Sequence, residues 1–191
     1  MESIEIRGHI VEYLDEEHIY LVDGIELPSV TTLLKEKFSD KYSYVNPLVL
    51  KKAAEKGTEV HKAIEDYCRE GIESDLEELR NFKFLKKYYG FNVIDNEVPI
   101  IIFKNENPVA CGRLDLVIQM EEKLMLADIK RTSVLDKEYL KYQLNLYKIG
   151  FEQCYGKKIE GLRGIHLRED KRKFIEIPMD QKYSEEILEF I

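Results

Sequence analysis

Two aspartates and a lysine lie on neighbouring segments that both have the pattern of β-strands. Asp115 interrupts the apolar run PVACGRLDLVIQM, and Asp128 and Lys130 end the run KLMLADIK. Because side chains alternate across a strand, Asp128 and Lys130 are predicted to emerge on one face and Ile129 on the other. A carboxylate beside an ammonium can bind a metal ion and stabilise negative charge on a phosphate.

The turn between these strands decides which residues face each other. If Glu121 and Glu122 form a two-residue hairpin turn, Asp115 and Asp128 lie directly opposite each other. Opposed Cβ atoms are about 4.5–5.5 Å apart, and like charges at that separation destabilise a sheet unless a cation lies between them. Carboxylate oxygens favour Mg²⁺ or Mn²⁺, whereas the sequence has no Cys/His cluster typical of structural zinc.

Strand alternation also predicts the neighbours of Asp115. Arg113, Asp115 and Val117 are expected on one face of their strand, and residues 114, 116 and 118 on the other. The alternative to a metal site is a solvent-exposed hairpin in which the two aspartates pair with Arg113 and Lys130. An Asp-x-Lys triplet alone does not decide between them, because such triplets arise often by chance.

The composition indicates a folded chain with a local excess of positive charge. Its 191 residues are 44% hydrophobic and 35% charged, which fits one globular domain over 1–191. The net charge of −8 counts against nucleic-acid binding, but residues 128–173 carry twelve Lys and Arg against seven Asp and Glu. Any DNA contact is therefore expected in that segment, although solvated helix and hairpin surfaces would give the same count.

Several function classes are excluded by what the sequence lacks. No run approaches the about 20 apolar residues of a membrane span, and MESIEIRGHI lacks the layout of a secretory signal. No membrane association and a cytoplasmic location are therefore expected. The three cysteines are dispersed and lack C-x-x-C spacing, which argues against a disulfide framework or zinc ribbon and predicts buried thiols.

The first half of the chain is predicted to be largely helical, after a hairpin. Residues 9–30 alternate like short strands, with turns at Asp15-Glu16 and Asp23-Gly24. The helix signals that follow are Ser29 as cap of 30–38, Asn46 and Pro47 opening a helix to about Lys56, a separate helix over 58–68 after Gly57, and a capping box of Ser74 and Glu77 before a helix closed by Gly90.

The second half has the pattern of a mixed sheet. Three β-rich segments follow Gly90, then come a helix over about 137–155, a hairpin with its turn near Asp170, and a short terminal helix. This order predicts an α/β fold with a central mixed β-sheet flanked by helices. Residues 1–56 would form an N-terminal hairpin and helices, and 57–178 the core.

The motifs around Asp115, Asp128 and Lys130 resemble those of the PD-(D/E)xK nuclease superfamily, in particular its RecB-like and phage-type exonucleases. GRLD at 112–115 looks like the G-x-x-D strand of that branch, and Asp128-Ile129-Lys130 like its D/E-x-K strand. GTEVHKAIEDY at 57–67 is similar to an upstream helix whose histidine binds metal. Gln143 and Tyr147 match a Q-x-x-x-Y helix, and Glu97 an acidic residue on the preceding strand. All five motifs occur in the family order over roughly residues 57–150.

The resemblance implies a restriction-endonuclease-like core that hydrolyses DNA with Mg²⁺ or Mn²⁺. The implied metal ligands are His61, Asp115, Asp128 and the Ile129 carbonyl, and the other implied catalytic residues are Lys130, Glu97, Gln143 and Tyr147. Without the resemblance, His61 reads as a structural histidine and Glu97 as an ordinary surface carboxylate. Gln143 and Tyr147 fit equally well a core stripe and a site role, with Tyr147 supporting the site or stacking on a base.

The candidate DNA contacts are Arg113, Arg131, Thr132 and Ser133, of which the last three are equally plausible loop residues. Two departures from the family pattern matter. Leu114 replaces the proline of the superfamily's name, and three dispersed cysteines do not fit the four that hold an iron–sulfur cluster, so no such cluster is expected.

The resemblance favours an exonuclease acting on linear single- or double-stranded DNA, with recombination or replication proteins as partners. The alternatives are a structure-selective or restriction-like endonuclease, and a non-catalytic DNA-binding or assembly subunit that retains the fold. Polarity, strand preference and oligomeric state are not addressed by any residue.

Overall fold

The computed structural model describes residues 2–14, 19–38 and 46–189. The predicted turn at Asp15-Glu16 lies outside these residues. None of the described helices has the length and apolar content needed to cross a membrane. The elements in chain order are β1 Glu2–Ile6, β2 His9–Leu14, β3 Ile19–Val22, β4 Ile25–Leu27, α1 Val30–Phe38, α2 Pro47–Glu70, α3 Glu77–Tyr89, β5 Phe91–Lys104, β6 Asn107–Met120, β7 Lys123–Lys130, α4 Lys137–Tyr155, β8 Gly161–Arg168, β9 Lys171–Ile177 and α5 Lys182–Leu188.

A five-stranded mixed sheet lies at the centre, with strand order β5-β6-β7-β8-β9. All neighbours are antiparallel except β7 and β8, which run parallel because α4 connects them as a crossover. The predicted α/β class with a mixed sheet and flanking helices is therefore confirmed. Because β7 and β8 run parallel, their carboxyl ends meet at one end of the sheet.

Both faces of the sheet are covered, which explains the almost continuous apolar runs of its strands. On one face, Leu126 and Val98 pack with Leu144 of α4 and with α1 and α5. On the other face, Ile129 packs with Val60 of α2 and with α3. Residues 126 and 129 of β7 thus belong to opposite cores, as strand alternation requires.

The N-terminal strands form a separate four-stranded antiparallel sheet with order β1-β2-β3-β4. Val11 and Val22 from this sheet pack on Ile101 and Phe103 of β5. The predicted hairpin and the helices that follow it are present, but the prediction omitted β1, which pairs with β2. The missed turn contains Arg7, whose φ of 53° is uncommon for a residue other than glycine and leaves little trace in the sequence.

Two predicted helix boundaries also differ from the structure. Helix α2 runs without a break through Gly57, since one glycine inside a 24-residue helix costs only about 1 kcal/mol. The capping box before α3 is absent: Ser74 Oγ accepts a hydrogen bond from the Leu76 backbone N–H, and Leu76 precedes the first turn. The caps at Ser29, Asn46, Gly90 and Gly156 are confirmed.

Gly112 lies where α1 and α4 approach β6 most closely, and its replacement is expected to destabilise the fold. A Cβ at this position would lie 2.8 Å from Tyr147 Cε1 and 3.3 Å from Val30 Cγ2. Gly112→Ala is expected to lower the free energy of unfolding by about 1–3 kcal/mol, the usual cost of overpacking a core. Urea unfolding of the variant measures this loss.

Gly57→Ala is the matched control, since a Cβ on Gly57 would meet nothing within 4 Å inside a helix. It should raise the free energy of unfolding by about 0.5–1 kcal/mol. Equal effects of the two substitutions would mean that Gly112 is not under steric constraint.

Candidate metal centre

Three potential ligands from three separate elements converge at one point. His61 lies in the middle of α2, Glu97 on β5 and Asp115 on β6. Each offers one ligand atom, and these atoms lie within 4.8 Å of one another. The Nδ1 atom of His61 is 3.7 Å from Glu97 Oε1 and 3.6 Å from Asp115 Oδ1.

The two carboxylates lie opposite each other where the ladder between β5 and β6 lacks one pair. Asn96 pairs with Leu116 and Val98 pairs with Leu114, so Glu97 and Asp115 lie opposite each other between two regular pairs. Glu97 has a φ of 51°, in the left-handed region. Such a conformation costs a residue other than glycine on the order of 1–3 kcal/mol and is typical of functional sites.

The interruption reverses which side chains face which core. Leu114 packs in the cluster under α4, whereas Leu116 and Ile118 pack in the cluster under α2 and α3. The prediction that residues 114, 116 and 118 share one face is therefore wrong. Strand alternation holds only while the backbone stays regular, and it breaks at Asp115.

Each of the three ligands has one atom fixed by the framework and one atom directed to the shared point. Ile129 holds two of them: its backbone N–H donates to Asp115 Oδ2 at 2.6 Å, and its carbonyl accepts from His61 Nε2 at 3.1 Å. Arg113 Nε lies 3.1 Å from Glu97 Oε2. Partners of this kind orient metal ligands and fix the tautomer of a ligating histidine. In His61, Nε2 is held by the Ile129 carbonyl, and Nδ1 is the nitrogen that lies near Glu97 and Asp115.

The ligand atoms lie close enough together to surround one cation. With Mg²⁺ or Mn²⁺ bonds of about 2.1 Å, octahedral ligands lie about 3.0 Å apart when adjacent and about 4.2 Å apart when opposite. The separations of 3.6 and 3.7 Å from His61 fall between these limits. Two carboxylates and one imidazole therefore form a donor set that suits Mg²⁺ or Mn²⁺.

The electrostatics of the site also favour a cation. Burial lowers the pKa of His61, but the charges of Asp115 and Glu97 outweigh burial and raise it to about 9. Burial raises the pKa of Asp115 despite the nearby charges of His61 and Lys130. At neutral pH a proton on His61 thus neutralises part of the negative charge that a metal ion would otherwise neutralise.

Metal binding is therefore expected to release a proton from His61. Ligation requires the neutral imidazole, so between pH 6.5 and about 9 the metal must displace that proton. The apparent affinity for Mn²⁺ should rise by up to about tenfold per pH unit in this window and level off above it. Calorimetric titrations in buffers of different ionisation enthalpy count the proton, and an affinity that is flat from pH 6.5 to 8.5 would exclude His61 as a ligand.

Asp128 and Lys130 form a second, neighbouring group. The pairs from Met120–Lys123 to Leu116–Ala127 confirm the turn at 121–122, and the ladder ends one position before Asp115 and Asp128. Asp128 and Lys130 share one face of β7 as predicted, with Lys130 Nζ 2.6 Å from Asp128 Oδ2.

Asp128 is only 1% exposed, and apart from this ion pair neither of its oxygens has a hydrogen-bond partner among the described residues. Burial, reinforced by the charge of Asp115 and opposed by Lys130, raises the pKa of Asp128 to about 6. An incompletely satisfied buried carboxylate of this kind is itself a group that a cation would stabilise.

The side chains that lie together differ in part from the ligand set that the resemblance implied. Glu97 lies with His61 and Asp115, whereas Asp128 pairs with Lys130 and the Ile129 carbonyl bonds to His61. The reason is geometric. Asp128 lies on a regular strand and its side chain enters the core under α4, whereas Asp115 lies at the break and bonds to a backbone N–H of β7.

Gln143 and Tyr147 lie on the buried side of α4, at 3% and 5% exposure. Gln143 Oε1 has no hydrogen-bond partner among the described residues, and Tyr147 packs on Gly112 of the GRLD strand. Burial and the charges of Asp115 and Asp128 raise the pKa of Tyr147 well above its usual value. This burial favours support of the site over stacking on a base.

Two of the three loop residues expected to contact DNA have side-chain partners within the protein. Arg131 forms ion pairs with the buried Glu78 and with Glu169, which no sequence signal indicated. Thr132 Oγ1 donates to the Val134 carbonyl at 2.8 Å. Ser133 is exposed at the end of the sheet where β7 stops. Of these three loop residues, Ser133 has the side chain best exposed for a phosphate contact.

A cavity of about 330 Å³ lies next to the ligand group and was not indicated by the sequence. Glu97 and Arg113 line it together with Arg69 and with Tyr13 and Tyr20 of the N-terminal sheet. The guanidinium of Arg113 lies 4.7 Å from the centre of the Tyr13 ring. The cavity joins the two sheets, so motifs taken from one sheet could not reveal it.

No family model matches the chain, and no curated protein matches it. Among solved structures it is similar to the crystal structure of SSO0001, with 18% sequence identity and a TM-score of 0.45 over 85% of this chain and 74% of that one. A likeness of this degree does not identify a family.

Proposed function

We propose that the chain is a metal-dependent DNA nuclease of the PD-(D/E)xK type, with a restriction-endonuclease-like core and motifs most similar to those of RecB-like exonucleases. The observation that carries the proposal is the convergence of His61, Glu97 and Asp115, each with one atom fixed by the framework and one directed to a shared point. A purely structural ion-pair cluster gives no reason for three ligand atoms to stay oriented in this way.

The residues divide into a metal-holding group and a charge-stabilising group. His61, Glu97 and Asp115 would hold one Mg²⁺ or Mn²⁺. When bound, the ion would polarise the scissile phosphate and lower the pKa of the attacking water. Arg113 and the Ile129 backbone keep the ligands in position, so that little reorganisation is needed on binding.

Lys130 is assigned to negative charge that develops on the phosphate. Although burial lowers its pKa, Asp128 and Asp115 outweigh burial and raise it, so Lys130 stays protonated at neutral pH. A permanently charged lysine is a poor general base and a good electrostatic stabiliser. Asp128 holds the ammonium in place through their ion pair.

Hydrolysis of labelled DNA tests the proposal and separates its alternatives. Linear and circular substrates, single- and double-stranded, are incubated with Mg²⁺, Mn²⁺ or chelator. The preferred exonuclease predicts metal-dependent loss of linear DNA only. Cleavage of circles would instead indicate a structure-selective or restriction-like endonuclease.

Binding without cleavage under any metal would indicate a non-catalytic DNA-binding or assembly subunit, and would overturn the proposed hydrolysis. Recombination or replication proteins as partners belong to the same proposal and follow from the family resemblance alone. A cytoplasmic location is also proposed, from the absence of a secretory signal pattern and of a long apolar run in the sequence.

A further inference from the structure

An exposed strip of aromatic and basic side chains lies away from the metal centre, on α3 and the β8–β9 hairpin. Two exposed rings, Phe84 and Tyr88, stand four residues apart on α3 and therefore on one helical face. Their exposures are 44% and 70%, which is unusual for large aromatic side chains. We call this strip the α3 patch; it comprises Phe84, Lys87, Tyr88 and Arg172.

The rings and one cation of the α3 patch are already stacked. The rings of Phe84 and Tyr88 are almost parallel, with an interplanar angle of 12° and centres 5.8 Å apart. The Arg172 guanidinium lies 3.7 Å from the centre of the Phe84 ring, and its Nη1 donates to Asn81 Oδ1 at 3.1 Å. Arg172 and α3 thus form one continuous surface.

The charges around the rings are mainly positive. Lys87 is exposed on α3 beside them, and Arg172 lies on the Phe84 ring, whereas Lys171 and Lys173 alternate to the opposite face of β9. Two carboxylates at the hairpin turn have partners nearby: Glu169 pairs with Arg131, and Asp170 lies 4.0 Å from Arg168. On the far side, Lys83 is paired with Glu73 and contributes little free charge.

We propose that the α3 patch binds single-stranded nucleic acid, with a base stacked on Tyr88, the more exposed of the two rings, and phosphates at Lys87 and Arg172. Every base has a face that can stack on an aromatic ring, and cations beside the rings can neutralise the backbone. A duplex keeps its bases stacked internally and offers no free face to these rings. The patch therefore favours a single strand over a duplex and over an acidic protein, which has no bases to stack.

The α3 patch is joined to the region of the proposed site through α3 itself. Glu78, in the first turn of α3, pairs with Arg131, which directly follows Lys130. Tyr88 lies ten residues further along the helix, about 15 Å away at 1.5 Å per residue. The inference goes beyond the proposed hydrolysis, because stacking and phosphate contacts need no metal.

Binding of a fluorescent 20-nucleotide oligo-dT in chelator tests this inference without hydrolysis. Tyr88→Ala should weaken binding by about 5- to 100-fold, the range for removal of one stacking platform. Tyr88→Phe keeps the ring and should bind like the parent. Because Tyr88 is largely exposed, neither change should alter the melting temperature.

The charge contribution has its own matched pair of variants. Lys87→Glu should weaken binding and lower the slope of log affinity against log salt by about 0.7, the value for one lost phosphate contact. Lys157→Glu makes the same change in net charge at an exposed position outside the α3 patch, and should leave the slope unchanged.

The outcomes separate this inference from the proposed function. Parent-like binding by Tyr88→Ala, or equal affinity for a 20-base-pair duplex, overturns the single-strand assignment even if the protein cleaves DNA. Polyglutamate is a polyanion without bases. If it binds tightly, and if the Tyr88 and lysine variants lose that binding equally, the patch is a general polyanion surface and the single-strand assignment is overturned. Ring-dependent binding to oligo-dT supports the α3 patch even if hydrolysis fails.

Discussion

Asp115→Asn is expected to abolish metal binding and to lower DNA hydrolysis by about 10³-fold or more, because it changes the chemistry of one ligand without changing its shape. The remaining amide oxygen can still accept the hydrogen bond from the Ile129 N–H. The amide NH₂ would then face His61 and the shared ligand point, where it cannot coordinate a cation. Thermal melting with and without millimolar Mn²⁺ and hydrolysis of end-labelled DNA measure the two losses.

The metal-free form of this variant should remain folded. Burial raises the pKa of Asp115, so its charge is unfavourable in the folded protein, and the neutral amide removes that cost. Asp170→Asn, an exposed turn position, is the control and should behave like the parent. A folded Asp115→Asn that keeps the Mn²⁺ shift and the parent cleavage rate would exclude the proposed centre.

Lys130→Met is expected to separate hydrolysis from metal binding. The Lys130 ammonium is assigned to charge that develops in the transition state, and its removal should slow hydrolysis by about 10²-fold. The ligands His61, Glu97 and Asp115 are unchanged, so Mn²⁺ should still raise the melting temperature. Single-turnover cleavage rates and melting curves on the same samples measure both effects.

The ion pair with Asp128 complicates the single variant, because loss of Lys130 leaves a buried carboxylate without its partner. The double variant Asp128→Asn with Lys130→Met removes both charges and serves as the matched protein. Lys130→Arg keeps a positive charge and should retain more activity than either. If Lys130→Met cleaves DNA at the parent rate, Lys130 has no part in catalysis.

The regular elements of the second half could be predicted because several signals agreed there. Strand composition and the turn at Glu121-Glu122 agree on where β6 ends and β7 begins, and Gly156 marks the end of α4. The structure confirms these elements and the β6–β7 register. Asp128 and Lys130 share a face because β7 is regular throughout. Local periodicity is sufficient wherever the backbone repeats.

The centre itself could be predicted only in part, because it depends on a departure from regularity. The positive φ of Glu97 leaves no pattern in the sequence, yet it accompanies the break at which Glu97 and Asp115 meet. The sequence therefore assigned Asp128 to the ligand set and gave Glu97 only a general catalytic role. Likewise, no periodicity reports that α2 brings His61 to the Ile129 carbonyl, a contact between residues 68 positions apart.

Titration of the metal-free protein with Mn²⁺ by calorimetry tests the metal centre most directly. We expect one bound ion per chain, loss of that binding in Glu97→Gln, and retention in Asp128→Asn with an affinity within about tenfold of the parent, the scale of a group outside the ligand set. Absence of binding by the folded parent, or binding that survives Glu97→Gln and is lost in Asp128→Asn, would contradict the centre formed by His61, Glu97 and Asp115.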